Sequence, residues 1–214
     1  MAVDSGSQPT FGQGAVARLI RGLLAAATVA ALVTAYVSIN FFFYFTVLSN
    51  ILSAMLMTGQ ALRPRWMSTN GSLRGAVTLY MSITGLVYAV LLRPIEADVG
   101  LSDQWVNWVL HSLGPAALLI DWLLFPPRMR LARNALWLWL LYPAIYLAVT
   151  LIRGPMVDWY PYPFLDPRGE GGFPSVAAYS VGVLILFLGV GWFVRWWADA
   201  KATERNVSVE TEEV

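Results

Sequence analysis

The chain contains no cysteine and only one histidine among its 214 residues. The absence of cysteine excludes disulfides, thiolate nucleophiles and cysteine-ligated metals. A single imidazole also argues against a zinc site or a bis-histidine haem built from protein ligands alone. We therefore expect a protein without a metal ion or another cofactor.

Charge is scarce as well: 13% of the residues are charged, whereas 57% are apolar and the mean hydropathy is +0.59. These values lie outside the range of soluble domains and predict a polytopic membrane protein whose partner is the lipid bilayer. Ten Trp, nine Tyr and ten Phe suit aromatic belts at two membrane interfaces. Sequence motifs of phosphate-binding loops, zinc peptidases and serine hydrolases are absent, and nothing indicates nucleic-acid binding.

A membrane span needs about 20 mostly apolar residues, and the sequence offers windows for an all-α bundle of six transmembrane helices. They lie near 17–38, 42–62, 75–93, 105–125, 135–152 and 175–197. The first two require a turn near 38–40, because one helix of about 36 residues would be roughly 54 Å long against a hydrocarbon core of about 30 Å. We expect the bundle to occupy 16–198, with polar tails at 1–15 and 199–214.

The Lys and Arg residues predict the orientation, since they concentrate on the cytoplasmic side of membrane proteins. With the N-terminus inside, eleven of the fourteen lie on the inner side, and three lie outside: Arg93, Arg153 and Arg168. This bias predicts a multi-pass cell-membrane protein with both termini in the cytoplasm. The last outer loop, 153–174, is rich in Pro, Gly and aromatic residues, and we expect it to form an ordered cap over the mouth of the bundle.

Two ionisable residues, His111 and Asp121, fall within the fourth span, where charged groups are costly and usually functional. At 1.5 Å per residue, His111 lies about 9 Å below the outer end, and Asp121 lies about 15 Å deeper and is rotated by roughly 80°. The two side chains therefore cannot touch. Asp121 lies near Arg128 at the inner end, where a structural ion pair and a functional role are about equally good interpretations.

His111 has a same-face neighbour, Asn107, which can hydrogen-bond the ring or a ligand. Pro115 lacks the N–H that would bond the carbonyl of His111, so the backbone should open at the histidine's own turn. A lone transmembrane histidine can also be a packing residue. The combination of the three residues favours a polar site.

The second span carries Thr46 about 7 Å from its outer end, nearly the depth of His111. Asn50 follows one turn later on the same face. Such a threonine is usually a packing residue whose hydroxyl bonds the carbonyl of Phe42. With a neutral imidazole in reach, however, the hydroxyl can be a nucleophile and the ring its base, as in acyl transfer.

These residues resemble a known family, the androgen-induced and androgen-dependent transmembrane proteins with their bacterial six-span relatives. The resemblance rests on Thr46, on Asn107-x3-His111 followed by a proline and by Asp121-Trp122, and on WYPYPFLDP in the last outer loop. It runs as an order of spans through about 15–197.

The resemblance implies a threonine hydrolase that cleaves fatty acid esters of hydroxy fatty acids, with Thr46 as the nucleophile and His111 as the general base. Tyr162 and Asp166 match family positions whose roles are not assigned. The proline falls one residue early, Asp121 replaces a glutamate, and Trp108 stands where the relatives carry a second histidine. These departures bear on the substrate most of all, because similarity of fold does not determine chemistry.

A site in the outer half of the membrane can admit a lipid ester from the bilayer and water from the mouth beneath the cap. We expect Asn107 or Asn50 to donate to an oxyanion. No acid lies in the outer half of a span, so Asp166 or Asp158 from the last outer loop is expected to be the third member beside the histidine.

Two other functions remain open from the sequence. One is a small-molecule or proton transporter that uses His111 and Asp121 along a path. The other is a non-catalytic membrane scaffold in which the polar residues join the helices.

Overall fold

The structure, a computed structural model, describes residues 14–63, 70–95 and 103–212, with side chains in 14–63, 70–94 and 103–204. These residues form helices and loops without a strand, so the predicted all-α class is confirmed. The helices are α1 (Ala15–Ala35), α2 (Phe45–Leu62), α3 (Gly71–Leu92), α4 (Gln104–Trp108, Val109–Leu113 and Gly114–Leu124), α5 (Ala135–Val157) and α6 (Gly172–Glu212). Most of the predicted N-terminal tail, 1–13, lies outside the described residues.

Among the described residues, five helices are long and apolar enough to cross a membrane: α1, α2, α3, α5 and α6. The predicted fourth span is helical from 104 to 124, but a π-helical turn divides α4 into segments of 5, 5 and 11 residues. That turn, Val109–Leu113, has His111 at its centre. The expected break in the helix at the turn of His111 is thus observed.

The predicted turn between the first two spans is also observed, as α1 ends at Ala35 and α2 begins at Phe45. A 3₁₀ turn, Ile39–Phe43, lies between them. The connection is longer than a tight turn at 38–40, and it corrects the expected depth of Thr46. Thr46 is the second residue of α2, so its N–H is one of the first four in the helix, which have no intrahelical partner.

α3 forms the centre of the bundle. Of its span, 67% is buried, against 17% for α5 and for α6, and it packs against α2, α4 and α6. The outward faces of α1, α5 and α6 present many exposed Leu, Ile and Val side chains. In water such surfaces would cost about 25 cal/mol per Å², so these helices are compatible with a membrane-embedded protein.

α6 differs from its predicted span, because it continues to Glu212 instead of ending near 197. No Pro or Gly interrupts the sequence after Gly191. Local bonds support the extension: the Thr203 hydroxyl donates to the carbonyl of Asp199, and Lys201 pairs with Glu204 at 2.7 Å. The segment 199–212, expected to be a polar tail, is therefore helical.

Candidate functional site

An apolar cavity of about 330 Å³ lies between α2, α3, α5, α6 and the loop 158–171. This volume is near the lower end of pockets that bind small organic molecules, roughly 300 Å³. The cavity reaches the outer surface of the bundle between α5 and α6, where Ala144, Val181 and Leu184 are exposed. It is therefore open toward the side of the protein that lipid would cover.

Residues with hydroxyl groups are among those that line this cavity. Four of them are Thr46, Thr84, Tyr162 and Ser180. The hydroxyls of Thr84 and Ser180 have no hydrogen-bond partner among the described residues, although both atoms are buried. Buried polar atoms are nearly always hydrogen-bonded, so these two hydroxyls are exceptions beside the cavity.

Thr46 is held by Tyr162 from the outer loop. The N–H of Thr46 donates to the phenolic oxygen of Tyr162 at 3.2 Å, and the two hydroxyl oxygens are 3.3 Å apart. Tyr162 thus caps the N-terminus of α2 from 116 residues away. Burial raises the pKa of Tyr162, so its hydroxyl keeps its proton at neutral pH and can donate to Thr46.

The position of Tyr162 is set by its aromatic neighbours. Its ring stacks on Phe164 with centroids 5.1 Å apart and packs edge-on against Tyr44 at 5.6 Å. Pro163 begins a 3₁₀ turn, Pro163–Leu165, that directs Leu165 into the core. The loop is folded against the helices and covers one end of the cavity, as the expected cap would.

Arg168 fastens this loop. Its guanidinium binds the carboxylate of Asp166 at 2.6 and 2.8 Å and also bonds Asp158. The hydrogen bonds from Arg168 hold the pKa of Asp166 below its usual value. Asp166 or Asp158 was expected as the third member beside His111, and in the structure both carboxylates bind Arg168.

Asn50 joins the Thr46 turn to the His111 turn. Its side-chain amide donates to the carbonyl of Thr46 at 2.9 Å and to the carbonyl of Leu110 at 3.1 Å. Both amide hydrogens are therefore used, and Asn50 has none left for the oxyanion role expected of it. Its Oδ1 atom is buried and has no hydrogen-bond partner among the described residues.

His111 lies in one π-helical turn and contacts Tyr88 of another. Its Nδ1 is 3.3 Å from the carbonyl of Asn107, and its ring stacks on Tyr88 with centroids 4.4 Å apart. Because a carbonyl oxygen only accepts, Nδ1 is the donor in this bond. Asn107 was expected to bond the ring with its side chain, and the observed contact comes from its backbone carbonyl.

Pro115 and the carbonyl of His111 face Gly85 on α3. A Cβ atom at Gly85 would lie 3.0 Å from the ring of Pro115 and 3.3 Å from the His111 carbonyl. Glycine therefore allows α3 to approach the opened turn. Tyr88 begins the second π turn, Tyr88–Leu92, one turn further along α3, and π turns are frequent at functional sites.

The hydrogen bonds of the site bring the turns of Thr46 and His111 together through Asn50, but they do not pair the two side chains. The hydroxyl of Thr46 is shared with Tyr162, and the His111 ring is held by Asn107 and Tyr88. The nucleophile-and-base pair therefore stays a prediction.

Asp121 belongs to a separate cluster near the other end of the bundle. It binds Arg21 at 2.7 Å and Arg74 at 3.2 Å, and the three side chains are at most 13% exposed. Arg74 also donates to the carbonyl of Phe125 at 2.8 Å. The expected neighbour Arg128 is thus replaced by two arginines from α1 and α3, and the ion-pair interpretation is favoured.

Sequence reasoning missed Tyr88, Thr84, Arg21 and Arg74 as parts of these clusters. Arg21 and Arg74 could have been found from their depth, because the predicted spans place both near the same end of the bundle as Asp121. The sequence gives no comparable signal for Tyr88, whose contact with His111 depends on a π turn.

Comparisons with known proteins add no relatives: no family model matches the chain, and neither the curated proteins nor the solved structures contain a match. The resemblance to the androgen-induced proteins therefore rests on its motifs.

Proposed function

We propose that this protein is an integral membrane hydrolase of lipid esters, with Thr46 as the nucleophile and His111 as the general base. The observation that carries the proposal is the place of Thr46. Thr46 lines an apolar cavity that opens between α5 and α6, on the side that lipid would cover. A fatty acyl chain is the ligand that suits such a cavity.

The chemistry follows from the two groups. The oxygen of Thr46 attacks the ester carbonyl, its proton passes to the imidazole of His111, and the departing alkoxide takes that proton. Water then hydrolyses the acyl-enzyme. The start of α2 favours the attack on the ester, because the positive end of the helix dipole stabilises the negative charge that develops near Thr46.

The proposal requires the His111 ring to reach the Thr46 hydroxyl when substrate is bound. Catalytic hydrogen bonds are often long in the absence of substrate. Asn50 supports this step, since it already joins the two turns by hydrogen bonds. We also propose that the family resembled is the right one, with a fatty acid ester of a hydroxy fatty acid as the substrate class.

We further propose that the chain crosses the cell membrane six times with both termini inside and the site in the outer half. α4 would supply the sixth span as a broken helix of 21 residues, long enough for a hydrocarbon core of about 30 Å. The contacts of the arginines support this orientation. Arg153 and Arg168 belong to the end that carries Tyr162, whereas Arg21 and Arg74 cluster on Asp121 at the other end.

The transporter alternative is weakened by the same cluster. A proton-carrying Asp121 would have to be neutral for part of its cycle, yet two buried arginines surround it. Protonation would leave both positive charges without their shared partner, which is costly in a buried site.

The test uses purified full-length protein in lipid nanodiscs, a fluorogenic long-chain acyl ester and a fluorophosphonate probe. We expect Thr46→Val to lose labelling and at least about 1000-fold of turnover, and His111→Gln to lose about 100-fold or more. Thr28→Val is the matched control, because Thr28 is also buried but lies on α1, where its hydroxyl bonds the carbonyl of Leu24.

If turnover and labelling survive in Thr46→Val, Thr46 is not the nucleophile. An acyl probe that binds the wild-type protein without any turnover would point to the scaffold alternative, with the cavity as a lipid-binding pocket.

A further inference from the structure

A second pocket lies at the opposite end of α6 from the capping loop. Its volume is about 500 Å³, and it is formed by α6, the start of α5 and the linker before α5. The side chains that decide its chemistry are two arginines, two tryptophans, an aspartate and a threonine: Arg130, Arg195, Trp192, Trp196, Asp199 and Thr203.

The position of the pocket along α6 is that of a lipid headgroup. Trp192 lies 20 residues after Gly172, the first residue of α6, which is about 30 Å at 1.5 Å per residue and matches the hydrocarbon core. Trp192 and Trp196 stack with centroids 6.2 Å apart and are 62% and 48% exposed. Tryptophan in this arrangement is typical of the membrane interface.

The polar wall of the pocket carries unused hydrogen-bond donors. Arg130 donates to the hydroxyl of Thr203 at 2.7 Å, and Arg195 bonds Asp199 and the carbonyl of Arg133. Each guanidinium has five N–H donors, more than these bonds use. Both oxygens of Asp199 are engaged, one by Arg195 and one by the N–H of Leu131 at 3.0 Å.

The charge of the pocket therefore favours an anion, since two arginines face one carboxylate that is already bound. Planar guanidinium groups suit phosphate oxygens in particular. The exposed tryptophan pair beside them would contact acyl chains rather than water. We propose that this pocket binds the phosphate of an anionic phospholipid, with the chains lying against Trp192 and Trp196.

The experiment measures binding by tryptophan quenching. Full-length protein in detergent micelles is titrated with brominated phosphatidylglycerol or brominated phosphatidylcholine. The quenching that disappears in a Trp192→Phe, Trp196→Phe double variant is the signal of the pocket. We expect phosphatidylglycerol to saturate this signal at a concentration at least about fivefold lower than phosphatidylcholine, because the headgroup charge interacts with the arginines.

Arg130→Gln should weaken phosphatidylglycerol binding about fivefold, the effect of one arginine near an anionic surface. Arg128→Gln is the matched control, since Arg128 is an exposed arginine of the same linker that does not line the pocket. Arg130→Lys keeps the charge and should lose less than Arg130→Gln.

Equal quenching by the two lipids, or equal binding by the Arg130→Gln and Arg128→Gln variants, would overturn the proposal. Thermal melting with glycerol 3-phosphate separates the sources of phosphate. If this soluble compound stabilises the protein as well as phosphatidylglycerol does at the same concentration, the pocket binds a free phosphate and the lipid assignment is wrong. None of these readouts depends on hydrolase activity.

Discussion

The phenolic oxygen of Tyr162 lies 3.2 Å from the backbone nitrogen of Thr46 and 3.3 Å from its hydroxyl oxygen. A loop residue therefore completes the first turn of α2 and touches the proposed nucleophile with the same atom. Stability and activity should depend together on this one hydroxyl group.

Tyr162→Phe should destabilise the protein by about 1–3 kcal/mol, because the buried N–H of Thr46 loses its acceptor. It should also lower the turnover of an acyl ester more than it raises the KM, since the acyl cavity stays intact. Unfolding in detergent and steady-state kinetics measure the two effects. Tyr160→Phe is the control: that ring packs on Gly154 and Arg168, and we expect a change within about 0.5 kcal/mol. Equal behaviour of both variants would exclude the capping role.

Asp121→Asn should destabilise the protein by about 3–5 kcal/mol, since it leaves Arg21 and Arg74 buried together without a counter-charge. The yield of folded protein and its melting temperature would report the loss. Asp103→Asn removes an exposed carboxylate at the start of α4 and should be neutral. A stable Asp121→Asn protein would show that the cluster is not structural and would revive a transport role.

The six-span orientation can be tested with single cysteines, because the chain has none of its own. We expect Asp103→Cys to react with a membrane-impermeant maleimide added to intact cells. Arg128→Cys should react only after the cells are permeabilised. Both positions are exposed. Identical labelling from outside would contradict α4 as a span.

The ion pair between Arg168 and Asp166, here called the clasp, should open in acid. The pKa of Asp166 is lowered in the folded protein by hydrogen bonds from Arg168, so the clasp is fully stabilising above the unfolded pKa of about 3.9. That contribution is lost as the pH falls through the lower, folded value. The protection of the loop amides, which is their exchange rate relative to the intrinsic rate at the same pH, should therefore change little from pH 7 to about pH 4 and fall below it. In Arg168→Gln the loop should exchange faster at neutral pH, and a loop as protected as in the wild-type protein would exclude the clasp.

The helical class, the break between α1 and α2 and the opened turn at His111 followed from composition, span length and one proline. These are local properties, and local sequence carries them. The partners of Asp121, Asp158 and Asp166 could not be found in this way. Each is chosen by how helices and loops from distant parts of the chain come together, and one sequence does not encode that arrangement in a local pattern.

Thr46 shows a further limit. Its position in sequence suggested a place one turn or more inside a helix, whereas the 3₁₀ turn before it makes it an N-terminal residue. Its closest polar partner, Tyr162, comes from a loop. The sequence predicted only that the loop 153–174 would cover the mouth of the bundle, and it did not predict that Tyr162 would contact Thr46.

Because of the two π turns, a single regular helical wheel does not describe α3 or α4 correctly. Each π turn holds about one residue more than an α-helical turn, so the positions beyond it are offset by roughly 100° from a regular helix. A wheel drawn through 104–124 as one α-helix therefore assigns the residues of one end to the wrong face. Asn107 and Asp121 lie on opposite sides of this offset, and mutational scans of α4 should be interpreted with a separate wheel for each side of the turn.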